Sequence, residues 1–222
     1  MPNPEDSSLL IVTAHPDDEC LGAGGTIALH TSRGNPVDLL CLTGNEIRNQ
    51  ELEAACAKLG IRRVYYSKRD DFDIDLSLTD EVVEAILTTR PKAIITHSYQ
   101  DYNRNHSMCA KIVDEAVEWA SHTTLHENAF KVSTLYHMEV NSLITQPTIM
   151  VNITDSYDTA LDALKKHVSQ VGKADGYYLK FYDARTMLRG IQADCPRAEA
   201  FTQISTKHVG PFYPENHVSS LI

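Results

Sequence analysis

The chain has 222 residues, 42% of them hydrophobic, and carries 20 Lys plus Arg against 30 Asp plus Glu, a formal net charge of −10. That length and apolar content suit a full core, read as a single domain over residues 1–222, and rule out a disordered chain, a collagen and a disulfide-stapled miniprotein. The acidic balance argues against broad, phosphate-driven nucleic-acid binding, but leaves room for a local basic pocket that takes a small anion.

The elements follow in chain order. Residues 9–14 (LLIVTA) form an apolar run suited to a strand buried on both faces. Residues 21–33 read as a helix, 37–43 as a second strand, and 48–59 as a helix stopped by Gly60. A short strand at 64–67 precedes a helix over 79–89, with Thr79 as its expected N-cap and Pro91 beyond its end. A fourth strand at 92–97 (KAIITH) leads to a helix at 107–121. Strands are expected again at 133–140, 148–153 and 200–205, and helices at 156–169 and 174–191. Apolar strands alternating with helices make βαβ units, so the expected fold is α/β. It has a Rossmann-like, mostly parallel sheet of order 3-2-1-4-5 flanked by helices.

Cys20, Cys41, Cys56, Cys109 and Cys195 are odd in number and form no CxxC pair, which fits reduced thiols in a cytoplasm. The N-terminus has no basic n-region, and no apolar run approaches a membrane span. A soluble cytoplasmic protein without stable membrane insertion is therefore expected; homo-oligomerisation stays open.

In such a sheet, ligands bind beyond the carboxyl ends of the strands, where the strand order reverses. His15-Pro16-Asp17-Asp18-Glu19 follows the first strand, and His97 to His106 follows the fourth, so both stretches should face one crevice. A His and an Asp from the first turn, with His106 from the second, would make a His₂Asp set. Three protein ligands and an open position are the arrangement of catalytic zinc, which lowers the pKa of its water to about 7. The remaining carboxylate could take a proton from that water. Alone, the same turn would read as a polar loop capping a helix. A dinucleotide site is disfavoured: Gly22, Gly24 and Gly25 do not form GxGxxG, because Ile27 stands at the last position.

At these residues the chain resembles the LmbE/PIG-L family of zinc-dependent de-N-acetylases, which act on N-acetylglucosamine conjugates. The resemblance is carried by Ala14-His15-Pro16-Asp17-Asp18-Glu19 with Gly22 to Gly25, by Thr43-Gly44-Asn45-Glu46 with Arg48 and Glu51, and by Asn103-Arg104-Asn105-His106. Lys166 to Gln170 and Ala198 to Phe201 match later landmarks. It implies His15, Asp18 and His106 as ligands of a zinc ion or another divalent transition metal, Asp17 as general base, and Arg48 as the holder of sugar hydroxyls. Asp71 resembles a sugar-binding aspartate, with Asp70 or Asp73 as alternatives. Tyr99 and Tyr102 are placed either to stack on a sugar ring or to line the loop.

The chain departs from the family's HxDH motif twice. Its first His is Asn103 here, and its Asp is Asn105. Asn103 can donate a hydrogen bond to an oxyanion but supplies no proton near neutral pH. The proton for a leaving amine would come from Asp17 or from His97 or His167. The expected activity is removal of an acetyl or similar small acyl group from an amino-sugar conjugate. The competing readings are a weakened sugar- or metal-binding protein and a hydrolase of non-sugar amides.

Overall fold

A computed structural model describes residues 7–67 and 72–204. Strands β1 (Leu9–Thr13), β2 (Val37–Cys41) and β4 (Ala93–Thr96) are buried at every position. Their side chains alternate between two cores. Leu9, Ile11, Leu39 and Ile95 face one with helices α1 (Asp18–Ser32), α2 (Glu46–Leu59) and α5 (Tyr157–Leu164). Leu10, Val12, Leu40 and Ile94 face the other with α3 (Thr79–Thr89) and α4 (Arg104–Ala120). Apolar cover on both faces is what a parallel sheet requires.

The sheet has seven strands in the order β3-β2-β1-β4-β5-β7-β6, with β3 at Arg63–Tyr66 and β5 at Thr134–Met138. The first five carry the expected parallel order. Strand β7 (Ala198–Ile204) then runs antiparallel to β5, and β6 (Ile149–Asn152) runs antiparallel to β7 at the edge. Among the described residues no helix is long and apolar enough to cross a membrane.

Local chemistry sets several boundaries. Asn45 Oδ1 accepts the Arg48 N–H and starts α2, and Gly60 ends it at φ 76°. Thr79 is not an N-cap. The 3₁₀ turn Leu76–Leu78 runs straight into α3, Asp75 caps that turn through the Ser77 N–H, and the Thr79 hydroxyl donates to Leu76 O. The helix expected over 156–169 is broken: α5 ends at Leu164 and α6 (Val168–Val171) starts anew. His167 stands in the break with ψ 59°, drawn inward to a buried carboxylate. Helix α7 (Tyr177–Gln192) starts later than expected, because Ala174, Asp175 and Gly176 all have positive φ.

Helix α1 is kinked at Ala23. Past the kink, Glu199 on β7 accepts the N–H groups of Gly25 and Thr26, the Thr26 hydroxyl and the Tyr182 hydroxyl. Gly25 lies so close to Ile153 that an added Cβ would fall 2.6 Å from it. The glycine-rich stretch therefore serves close packing of α1 against its neighbours.

Candidate metal centre and catalytic pocket

The turn after β1 is built around two consecutive aspartates. Asp17 has φ 109°, a strained backbone for a residue with a side chain. Three contacts hold it there. Its N–H donates to Glu19 Oε2 at 3.0 Å, its Oδ1 accepts from Arg48 Nη2 at 3.1 Å, and the same Nη2 donates to Pro16 O. The following residue, Asp18, opens α1 and accepts the His15 N–H at 2.7 Å.

Asp18 collects three imidazoles. His15 Nδ1 lies 3.3 Å from Oδ2, His106 Nε2 3.3 Å from Oδ1, and His97 Nε2 3.2 Å from Oδ2. His15 Nδ1 and His106 Nε2 are 3.2 Å apart. One ligand atom each from His15, Asp18 and His106 lie within 4.8 Å of one another. The outer nitrogen of His106 faces Asp101 Oδ2 at 3.1 Å. A neutral His106 that donates there turns its Nε2 lone pair toward Asp18. Two imidazole nitrogens and a carboxylate oxygen converge here, and a bound cation would hold them together, so the donor set fits a divalent transition metal.

A proton serves the same purpose in the free protein. Burial opposes charge on His106, but Asp18 and Asp101 outweigh it and raise its pKa to about 10. Asp18 moves the other way: burial favours its neutral form, and the charge of His106, with hydrogen bonds from His106 and His15, holds it well below the ordinary carboxylate range. For Asp17, burial and then the charge of Asp18 raise the pKa to about 8, against the pull of Arg48.

His97 is fully buried, and its Nε2 accepts the Ala14 N–H at 2.9 Å. That nitrogen carries no proton, so its approach to Asp18 is no ion pair. Burial and then His106 lower the His97 pKa to about 4. His97 is a neutral wall behind the ligands and a poor acid at neutral pH. His167 is also fully buried; its Nε2 meets Glu19 Oε1 at 2.7 Å, and Cys20 Sγ lies 3.0 Å from the same oxygen. It braces Glu19, which in turn holds the Asp17 backbone.

The pocket above the centre has a volume of about 230 Å³ and is lined by His15, Asp17, Asp18, Arg48, Asn103 and His106, with Phe72, Asn141, Gln170 and Tyr178. Asn103 Oδ1 caps α4 through the Asn105 N–H, which leaves Nδ2 as its donor. Asn105 Nδ2 donates to Phe72 O at 2.7 Å, a bond that a carboxylate in its place could not give. Phe72 stacks on His15 and lies beneath the Arg48 guanidinium. Tyr102, a sequence candidate for the sugar, is 79% exposed and does not line this pocket. Tyr178, which the sequence did not single out, does. Asp71, with Asp70, lies outside the described residues. Asp73 is exposed and faces Arg104.

Sequence reasoning also missed Asp101, five positions before His106 in the loop that leads into α4. It accepts the N–H groups of Asn103 and Asn141 while meeting His106. The available signal was the need of a ligating His for a carboxylate on its outer nitrogen.

Similarity to known proteins runs along most of the chain. The PIG-L family, described as GlcNAc-PI de-N-acetylase, matches residues 10–117. A probable N-acetyl-alpha-D-glucosaminyl L-malate deacetylase 2 of Bacillus cereus is 28% identical over 186 residues, covering 73% of this chain and 83% of its own. The 4-oxalmesaconate hydratase of Pseudomonas putida is 24% identical over 222 residues, covering 86% of this chain and 83% of its own. The N,N'-diacetylchitobiose deacetylase of Pyrococcus horikoshii superposes with a TM-score of 0.77 at 19% identity, over 89% of this chain and 84% of that one, and so shares the fold.

Proposed function

On the premise that the chain carries a PIG-L (LmbE-like) family domain, we propose that it is a metal-dependent hydrolase. It would remove an acetyl or similar small acyl group from the nitrogen of an N-acetylglucosamine-type conjugate. The observation that carries this reading is the convergence of His15, Asp18 and His106 beside the raised carboxyl of Asp17. The whole chain is read as one catalytic domain.

His15, Asp18 and His106 would hold the metal, with zinc as the favoured ion for two imidazoles and a carboxylate. A metal so held polarises an amide carbonyl and makes a nearby water more acidic. Asp17 accepts the proton of the attacking water. Its raised pKa suits the return of that proton to the leaving amine, since a group near neutrality serves as both base and acid. Asn103 Nδ2 donates to the developing oxyanion. Asp17 therefore carries both proton transfers, because Asn103 cannot supply a proton and His97 stays neutral. Arg48 fixes Asp17 and presents its edge to sugar hydroxyls, and Phe72 and Tyr178 supply apolar and aromatic surface.

A second reading is addition of water to a carbon–carbon double bond. The Pseudomonas putida hydratase favours it, being similar over 86% of the chain, and such a reaction expels no amine and so needs no amine-protonating donor at position 103. The test is to incubate the metal-loaded protein with a panel of N-acetylglucosamine conjugates and of unsaturated carboxylic acids. Acetate release upholds the deacetylase reading. Water addition without acetate release upholds the second.

A further inference from the structure

We propose that the chain has a second ligand site, for a small anion bearing a diphosphate, at the opposite end of the sheet from the catalytic pocket. A cavity of about 630 Å³ opens there, within the roughly 300–1,000 Å³ typical of small-molecule sites. Its lining comes from the amino ends of five neighbouring strands: Ser8 before β1, Pro36 before β2, Arg62 and Arg63 at β3, Lys92 before β4, and Lys131 with Ser133 before β5. The end of α3 adds Arg90. Five of the chain's 20 Lys and Arg residues thus meet in one cavity of a protein with net charge −10. No carboxylate is among the described residues that line it.

The cations are not consumed by partners. Asp38, itself buried, accepts from both Arg62 and Arg63, so one negative charge serves two guanidiniums, which stay 42% and 44% exposed. Lys92 and Lys131 make no ion pair with a described residue. The carboxyl end of α3 adds about half a negative charge. Set against five cations, the one carboxylate and that helix end leave an excess of between about three and four positive charges. Completing the helix dipole therefore explains only a small part of the cluster.

The geometry also looks built. Arg90 adopts φ 47°, a left-handed conformation unusual for a side-chain residue. From it the guanidinium donates to Asn128 O at 3.0 Å and stacks 4.6 Å from the centre of the Phe130 ring. Arginine forks and lysine point charges are the side chains that recognise phosphate oxygens, and three charges match a diphosphate.

The test is calorimetric titration of the metal-loaded protein with inorganic pyrophosphate and with ADP, in about 50 mM salt, where screening is moderate. Lys92→Glu with Lys131→Glu reverses two exposed charges of the cavity. Lys111→Glu with Lys166→Glu makes the same charge change elsewhere on the surface. Saturable binding that falls about tenfold or more in the first variant and little in the second upholds the site. ADP binding more tightly than pyrophosphate would add a nucleoside to the recognised chemistry; equal binding would leave the diphosphate alone. Absence of saturable binding, or equal loss in both variants, overturns the proposal. Pyrophosphate held only at the catalytic metal would be insensitive to Lys92→Glu with Lys131→Glu, which overturns it too.

Discussion

Two histidine–carboxylate clusters flank Asp17, and they differ in access rather than in chemistry. His15, Asp18 and His106 form one, and Glu19, Cys20 and His167 the other; each brings three ligand-type atoms within 4.8 Å. The first borders a pocket, with His15 partly exposed. The second is sealed, and its atoms pair with one another: His167 with Glu19, Cys20 with Glu19, and the free Glu19 oxygen with the Asp17 N–H. In the first cluster Asp18 Oδ2 accepts the His15 N–H, while its Oδ1 and the His15 and His106 ring nitrogens crowd together at the pocket; in the second each carboxylate oxygen has a donor of its own. Residue types alone do not distinguish a metal site from a brace. Access and the balance of donors do.

The largest expected effect breaks the first cluster. His106→Ala should lose the bound metal and all measurable turnover while remaining folded, checked by elemental analysis and circular dichroism. Breaking the second should act on stability instead. Glu19→Gln leaves His167 buried without its carboxylate and should cost about 3–5 kcal/mol in denaturant unfolding, with metal still bound by the folded fraction. Next in size is the support of the first cluster. Asp101→Asn should weaken metal affinity by about 10–100-fold, measured by competition with a chelator. The smallest effect is graded with pH. In the free protein His106 holds its proton up to a pKa of about 10, and metal binding must displace it. Apparent metal affinity should therefore rise by up to about tenfold per pH unit across the neutral range, with a proton released. Affinity independent of pH would show that His106 is not a ligand.

Much of this contrast was open to sequence reading, and the rest depended on distance along the chain. The parallel order of β1 to β5 followed from apolar runs such as LLIVTA and KAIITH, because burial on both faces leaves no other pattern. The juxtaposition of His15 and His106 followed from the switch point between β1 and β4. The antiparallel β7-β6 edge did not, since short strands of mixed polarity carry no sign of their partner. The His167 break was hidden for a related reason. The residue is fixed by Glu19, 148 positions away, and local helical periodicity does not register such a contact. Tyr102 and Tyr178 exchanged roles in the same way. Tyr102 sits near His106 in sequence yet points to solvent, whereas α7 carries Tyr178 into the pocket from the far end of the chain.

The most direct test of the account is the Asp17→Asn variant, assayed for bound metal and for acetate release across pH. Asp17 must be ionised to accept a proton, and burial beside Asp18 raises its pKa to about 8 in the free protein. Activity of the parent should therefore rise with pH as Asp17 loses its proton, and a metal held by Asp18 should move that rise to lower pH. The account predicts that Asp17→Asn keeps one equivalent of metal, loses that pH-dependent rise and releases acetate about 10²–10⁴-fold more slowly. Full turnover with the parent's pH profile would contradict it.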